Sequence, residues 1–143
     1  MKKIILLLSI LVSCQKSDTN SGLSGSEWVG SGQSWGSSEY YVDGKLVRNE
    51  YSTKYDYTLK FTTDNKGGLN IVSVETVNGV SEAPVTRNYD FTYTYDSDFM
   101  RGVIVYDGTC GGGLQQLQST FEIRSGFLYD DSDLTGEVEY RKK

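Results

Sequence analysis

The side chains that could carry out chemistry in this 143-residue chain are carboxylates, hydroxyls and thiols, because the chain contains no histidine. Imidazole takes up and returns a proton near neutral pH, so its absence excludes Ser-His-Asp and Cys-His catalysis and the usual zinc and copper sites. Hydrolysis by two carboxylates remains open, but it requires two acids that face each other roughly 5 to 10 Å apart. The placement of the acids therefore decides whether an enzyme is possible.

The acidic residues are predicted to lie in turns or on the solvent side of strands. Asp56 and Asp90 alternate with aromatic residues, so they point to the face opposite the rings. The stretch "DDSDLTG" (130–136) resembles the start of a calcium loop, but the twelfth position counted from Asp131 is Lys142, where a bidentate glutamate is required. We interpret it as a hairpin turn, and we expect a non-enzymatic protein without a metal or other cofactor.

A glycine-rich segment, "DGTCGGGLQQLQST", is the other stretch that suggests a site. It lacks the Lys-Ser or Lys-Thr of a phosphate-binding loop and does not have the spacing of the dinucleotide fingerprint. We therefore predict a flexible connection that leads into a strand, "LQSTFEI". Cys110 lies in this segment without a basic neighbour in sequence that would favour its thiolate, so we expect it to be unreactive.

The elements that position these side chains are strands, because apolar residues recur at every second position. The stretches "KYDYTLKF" (54–61) and "NYDFTYTY" (88–95) match each other position for position. Each is followed by a turn and a second strand, "LNIVSVE" or "MRGVIVY", which indicates a weak repeat of a hairpin unit. Both repeats place a row of rings on one face and polar residues on the other.

Turn signals divide the chain into about eight or nine strands. Asp43-Gly44 and Asn78-Gly79 supply the positive backbone angles that two-residue hairpin turns require. The single proline, Pro84, falls in a connector or at a strand edge. Sequential hairpins without a helical crossover predict an all-β, antiparallel up-and-down meander of about eight strands that closes into a barrel, with a two-sheet β-sandwich as the alternative.

The N-terminus has the pattern of an export signal. Two lysines precede an apolar run (4–12) that as a helix would reach about 14 Å, under half of the hydrocarbon core of a bilayer. Such a run is typical of a signal peptide. It ends in "LVSC", which resembles the bacterial lipobox. The resemblance implies that Cys14 becomes a lipidated N-terminus anchored to the cell envelope, and Gln15 after it, in place of an aspartate, favours the outer membrane.

These features divide the chain into a signal peptide (1–13), a flexible lipid-anchored tether (14–25) and one β-barrel domain (26–143). The formal net charge is −5, and the lysines and arginines are scattered, so a nucleic-acid partner is not expected. Once a lipid occupies Cys14, Cys110 has no partner for an intramolecular disulfide. The domain must then be stabilised by packing and strand pairing alone.

Three stretches together carry a resemblance to a known family: the tryptophan-bearing first strand "SEWVGSGQSW", the aromatic hairpins, and the last strands "STFEIRSGFLY" and "LTGEVEY". This arrangement resembles the lipocalin-like, or calycin-type, barrels of small anchored lipoproteins from Bacteroides-type bacteria. Lipocalins usually carry Gly-x-Trp in the first strand, whereas Gly25 and Gly32 each precede a tryptophan by three positions. The resemblance implies an eight-stranded barrel that can hold one small ligand.

The alternating rings are the candidate binding residues. We predict that the barrel interior is lined by Trp28, Tyr55, Tyr57, Leu59, Phe61, Tyr89, Phe91, Tyr93 and Tyr95. A buried tyrosine hydroxyl without a partner costs roughly 1 to 3 kcal/mol, so a tyrosine-rich face suits an interior that is partly wet or open at one end. Pure packing remains an alternative, since tyrosine favours strands, as does an exposed aromatic surface that contacts a glycan or a protein.

The function that the sequence predicts is a membrane-anchored, non-catalytic binding module for a small apolar or aromatic molecule, or for an envelope lipid or glycan. The alternative is a scaffold that binds or inhibits an envelope protein such as a hydrolase. In that case the loops "YYVDGKLV" and "DGTCGGGLQQ" would make the contacts.

Overall fold

The computed structural model describes residues 22–109, 116–132 and 134–143, which form nine antiparallel strands. The strands are β1 (Ser26–Val42), β2 (Lys45–Phe61), β3 (Lys66–Val77), β4 (Val80–Ser81), β5 (Val85–Asp96), β6 (Arg101–Thr109), β7 (Gln116–Arg124), β8 (Phe127–Ser132) and β9 (Gly136–Lys142). Within these residues no helix is long and apolar enough to cross a membrane.

Eight of the strands close into a barrel. β3 pairs directly with β5, the remaining strands pair in chain order, and β1 pairs with both β2 and β9. The two-residue β4 is an extra strand that pairs only with the end of β3. The predicted closed, antiparallel meander is therefore confirmed, and the β-sandwich alternative is excluded. The architecture is compatible with a lipocalin-like fold.

The tight turns have the geometry that their residue types dictate. Asp43-Gly44, Asn78-Gly79 and Ser125-Gly126 each combine two positive φ angles, between 50° and 84°. This is the conformation of a type I′ turn, whose twist matches that of the strands it joins. Pro84 lies in the connector between β4 and β5, as predicted.

The barrel has two different ends. The end that we call the lower end carries the start of β1 and the turns 62–65, 97–100 and 125–126. Leu23, in the stretch that the sequence assigned to the tether, is buried with 3% of its surface exposed, and the N–H of Gly25 donates to the carbonyl of Phe61 at 2.7 Å. The packed structure therefore begins before Ser26.

A long two-stranded ribbon projects from the opposite, upper end. β1 and β2 pair without interruption from Ser26–Phe61 to Val42–Lys45, but β9 pairs with β1 only over Trp28–Gly30. β3 accompanies β2 only as far as Tyr51. We call residues 34–51 the ribbon. The sequence predicted a hairpin turn at Asp43-Gly44, but it did not predict that the hairpin extends so far beyond the barrel.

One predicted turn was placed too early in the chain. The acidic stretch at residues 130–133 was interpreted as a turn, whereas β8 extends to Ser132 and Asp130 lies inside it. Asp130 pairs with Phe121 on one side and with Val138 on the other, so it is part of the barrel wall. The turn between β8 and β9 comes after Ser132.

Candidate functional site: the barrel interior

The side chains predicted to line the interior all lie in the barrel core or against it. Tyr55 and Tyr89 are partly buried and pack against the core, and Asp56 and Asp90 are exposed on the outer face, as strand parity predicted. The other seven predicted residues are at most 6% exposed: Trp28, Tyr57, Leu59, Phe61, Phe91, Tyr93 and Tyr95. Whether any of them contacts a ligand remains a prediction.

Interlocking rings fill the lower half of the barrel. Phe61 lies at its centre, with ring centroids 4.7 Å from Tyr93 and 5.7 Å from both Phe91 and Phe121. Tyr95 stacks on Phe121 at 6.0 Å. These are the separations that aromatic pairs prefer when they pack on one another. In this half the rings serve packing, the alternative that the sequence left open.

Glycines on neighbouring strands make room for the rings. A Cβ added at Gly67 would overlap the Phe91 ring and the carbonyl oxygen of Lys60, and a Cβ added at Gly102 would overlap the Phe121 ring. Both glycines face their rings directly across the strand pair. Each ring can therefore lie flat on the backbone of the adjacent strand, which lets eight strands enclose several large side chains.

The lower hydroxyls are accommodated at the rim. The Tyr93 hydroxyl donates to the Thr63 carbonyl oxygen at 2.7 Å, and burial, followed by the nearby Asp64 charge, raises the pKa of Tyr93 to about 12. Further up the barrel, burial also raises the pKa of Tyr57, whose ring lies against Gly32. Tyrosine is therefore compatible with packing where a backbone carbonyl lies within reach.

A different environment occupies the upper half. Here Ser119, Asp130, Tyr106 and Tyr140 are at most 3% exposed, and their side-chain oxygens have no hydrogen-bond partner within the described residues. We call these four residues the polar cluster. They come from β6, β7, β8 and β9, so each of four consecutive strands contributes one member of the cluster; Ser132 of β8 is also buried, but its hydroxyl is bonded to Thr135. Buried polar groups are normally paired, and four neighbouring exceptions point to a missing partner.

The pKa shifts within the polar cluster show that its members influence one another. Burial raises the pKa of the Asp130 carboxyl to about 6; the Ser119 hydroxyl opposes this shift, although its geometry falls short of a hydrogen bond, and Asp131 adds to it. Burial, followed by the Asp130 charge, also raises the pKa values of Tyr106 and Tyr140; the hydroxyls of Ser119 and Thr135 oppose these two shifts, although their geometry falls short of a hydrogen bond. Near neutral pH the interior therefore holds a carboxylate that has lost its water without gaining a counter-charge.

The acids and metal-ligating side chains around the cluster are few. Asp130 is the one acid buried among the described residues, so no second carboxylate faces it inside the barrel. No group of three or more metal-ligating side chains occurs in the described part of the chain either. What the cluster offers is an anionic acceptor and three hydroxyls beside aromatic rings, with the Tyr106 ring 5.8 Å from Phe91 and the Tyr140 ring 6.2 Å from Tyr57.

The sequence reasoning missed the polar cluster because aspartate was treated as a turn former. The signal was present in "FLYDDS", where Leu128, Asp130 and Ser132 occupy alternate positions and all three are buried. The same alternation places Tyr106 after Ile104 and Tyr140 after Val138 on the inner face. Strand parity continued through the acidic stretch would have found Asp130.

Strand pairing beside the cluster is incomplete. Above Gly30, β1 and β9 are no longer paired, and an outer-surface groove of about 530 Å³ runs along this seam, lined mostly by exposed side chains such as Val29, Glu137 and Glu139. The space on the inner side of Gly30 is filled, because a Cβ there would meet the Glu139 carbonyl, Val138 and Tyr140. Tyr140, a member of the polar cluster, therefore lies next to the seam.

The ribbon carries the first of the two loops considered for protein contacts. Its tip exposes Tyr40, Tyr41 and Leu46 by 45%, 74% and 55%. The second loop, at 107–116, lies largely outside the described residues, and so does Cys110. The signal peptide and the lipidation site Cys14 are also outside them.

The chain matches no protein-family model, and comparisons with curated proteins and with solved structures find no match. What the structure defines is therefore a class: an eight-stranded, antiparallel, closed β-barrel with a buried aromatic cluster.

Proposed function

We propose that the protein is a non-catalytic binding module whose upper barrel interior takes a small, largely apolar or aromatic molecule that carries an amine. The observation that supports this most is the Asp130 carboxylate, which is 1% exposed and unpaired. An ammonium group would supply the missing counter-charge, and the three hydroxyls and the neighbouring rings fit the remainder of such a ligand.

The energetic reason is the cost of the empty state. An ionised acid buried without a partner is unfavourable by several kcal/mol unless it is paired or protonated. A chain that needed only packing would be more stable with an apolar residue between Leu128 and Ser132. The polar cluster therefore has a use in recognition that the ring-filled lower half does not have.

The seam between β1 and β9 supports a route to this site. It lies at the upper half of the wall, where Gly30 and Gly32 present backbone only and the Gly32 Cα faces the Tyr57 ring. Widening the seam would not break a strand pair, because β1 and β9 are unpaired there. Tyr140 and Asp130 are 0% and 1% exposed, so entry of a ligand requires β1 and β9 to separate further along this seam, which leaves the lower core closed.

Three phenyl-bearing probes of similar size test the ligand class: 2-phenylethylamine, 2-phenylethanol and 3-phenylpropionate. Calorimetric titration at pH 7.5 should show binding of the amine in preference to the other two. Binding of the amine should weaken as the pH falls through about 6, because protonation removes the Asp130 charge. Asp130→Asn should abolish the preference for the amine.

Asp131→Asn is the matched control, since Asp131 is adjacent in sequence but exposed. It should bind the amine as the unsubstituted protein does. Absence of binding by all three probes at millimolar concentration would contradict the proposal. So would an amine preference that survives Asp130→Asn.

We propose with this function a location at the cell envelope through a lipid on Cys14, which the N-terminal sequence supports. The lower end of the barrel would then face the bilayer, because β1 begins there, and the ribbon would point away from it. Mass spectrometry of the protein from its native membrane should find acyl chains on Cys14. Cys14→Ser should release the protein from the membrane fraction, and retention would contradict the anchor.

A further inference from the structure

The ribbon has one strand edge without a partner. β1 is paired with β2 along its whole length, but beyond Gly30 no other strand of the described residues pairs with its second edge. Beyond Ser34 the edge has also passed the upper limit of β9, which begins at Gly136. Residues 33–41 therefore present an unpaired strand edge that projects from the barrel.

The turn at Asp43-Gly44 determines which backbone groups point outward. In a two-residue hairpin the flanking residues, Val42 and Lys45, exchange hydrogen bonds, so the even-numbered residues of β1 bond to β2. The odd-numbered residues then point away, and in agreement the carbonyl of Glu27 accepts from the Lys143 N–H on the β9 side at 2.9 Å. The outward-pointing residues of the free edge are Gln33, Trp35, Ser37, Glu39 and Tyr41.

This edge lacks the features that normally prevent strand addition. Proline, lysine, inward charges and bulges are the usual means of protecting an edge. Residues 31–42 contain no proline and no lysine, their pairing with β2 has no bulge, and their one charged residue is Glu39. Glu39 also lies 4.0 Å from Arg48 of the adjacent strand, so its charge is partly compensated.

Large exposed side chains border the same edge. Trp35 and Tyr41 are 73% and 74% exposed on the outer face, and Tyr40 and Val42 are 45% and 46% exposed on the other. An unpaired backbone edge flanked by apolar groups on both faces is the arrangement that another β-strand covers when it adds to a sheet.

We propose that the occupant of this edge is the same edge of a second copy, so that the protein forms a two-fold dimer with antiparallel β1 strands centred on Ser37. In this register Ser37 faces Ser37, Trp35 faces Glu39, and Gln33 faces Tyr41 of the other copy. Each outward-pointing residue then pairs with another outward-pointing residue, which is the self-complementarity that a two-fold interface requires.

Side-chain size and charge agree with this register. The centre is occupied by Gly36, Ser37 and Ser38, so the two backbones can approach without obstruction. On the second face the exposed Tyr40 lies opposite Ser34. The two Glu39 carboxylates are kept apart, because each faces Trp35. The barrels lie at opposite ends of the joined ribbons, away from the contact.

The test uses the full chain with Cys14→Ser, which removes the predicted lipidation site. Sedimentation equilibrium should show a monomer–dimer equilibrium in the micromolar range. Hydrogen exchange should show that the amides of Trp35, Ser37 and Glu39 become protected as the concentration rises. Ser37→Pro should raise the dimer dissociation constant by about a hundredfold or more, because proline removes an outward N–H while leaving the bonds to β2 intact.

Ser37→Thr is the matched control, since it keeps the N–H and favours a strand, and it should dimerise as the unsubstituted protein does. A protein that stays monomeric at all concentrations would refute the proposal. So would a dimer that survives Ser37→Pro, or edge amides that become protected only when a different protein is added. Amine binding by the barrel is measured separately, so either proposal can fail alone.

Discussion

The barrel and the ribbon each pack an aromatic ring on a glycine of the adjacent strand, but the ring is buried in the barrel and exposed in the ribbon. In the barrel, Phe91 lies across Gly67 of the adjacent strand and is 1% exposed. In the ribbon, Tyr51 lies across Gly36 in the same directly opposed position but is 41% exposed. Both pairs place an aromatic ring flat on a glycine backbone. The exposure of the two rings differs because different surroundings meet the other side of each ring.

Closure of the sheet explains the difference. The outer face of the Phe91 ring meets Phe61 from a strand across the barrel, at a centroid distance of 5.7 Å. Tyr51 belongs to a part of β2 that projects beyond the closed wall, so solvent takes the place of that second ring. Alternation in the sequence determines which face a side chain occupies, and closure of the barrel determines whether that face is dry.

The largest effect that separates the two regions should come from removing a ring. Phe61→Ala should lower the free energy of unfolding by about 3 to 5 kcal/mol, because three neighbouring rings lose their contact and a cavity remains. Tyr51→Ala should cost less than about 1 kcal/mol, since that ring is already partly in water. Urea titration of both variants checks this. Equal losses would show that the ribbon is packed as the barrel is.

The glycines should show the same contrast on a smaller scale. Gly67→Ala should cost about 2 to 3 kcal/mol, because the new methyl group meets the backbone carbonyl of Lys60 as well as the Phe91 ring. At Gly36 the three atoms nearest to the methyl group all belong to the Tyr51 ring, which can rotate into solvent. Gly36→Ala should therefore change stability by less than about 1 kcal/mol, and urea titration of the pair measures the difference. A larger loss at Gly36 than at Gly67 would contradict the account.

A third contrast lies within the barrel, between its ring-filled and its polar half. The folded state holds the Asp130 proton to about pH 6, whereas the unfolded chain releases it near the usual aspartate pKa of 3.8, so stability should fall as the pH rises from about 4 to 6. Asp130→Asn should abolish this fall and stabilise the ligand-free protein at pH 7 by about 1 to 2 kcal/mol. Thermal unfolding between pH 4 and 8 tests it.

Asp131→Asn is the control for that measurement and should retain the fall in stability. If the Asp130 variant and the unsubstituted protein keep the same pH dependence, the carboxyl is not buried in the way that its 1% exposure indicates. The lower half contains no comparable group, since its buried Tyr93 hydroxyl is bonded to Thr63.

The fold was largely predictable because it depends on local signals. Alternation identified the inner faces of β2 and β5, and the dipeptides Asp43-Gly44 and Asn78-Gly79 fixed two turns. The projection of the ribbon was not predictable in the same way. No signal in the sequence of β1 or β2 marks the barrel rim, because the extent of pairing with β9, a strand far away in the chain, decides where β1 loses its second neighbour.

The candidate site was predicted only in part, for a related reason. Aromatic residues at alternate positions of β2 and β5 mark one face of each strand, and within the closed barrel seven of the predicted rings and apolar residues were found in the core. Asp130 has a side chain that composition alone assigns to turns and solvent. Its burial follows from the pairing of β8 with β7 and β9, which only the closed sheet reveals.

The smallest effect on stability should come from replacing Trp35, which lies seven positions after the buried Trp28 on β1. Trp28 is 4% exposed in the barrel and Trp35 is 73% exposed on the ribbon. Trp35→Phe should change the free energy of unfolding by less than about 0.5 kcal/mol and leave blue-shifted emission that acrylamide quenches poorly. Trp28→Phe should leave red-shifted emission that is quenched readily in dilute protein.

If the ribbons pair, that quenching should decrease as the concentration rises, and Ser37→Pro should prevent the decrease. Ready quenching of Trp28 would instead mean that the lower barrel is open to water, and the distinction between the two regions would be lost.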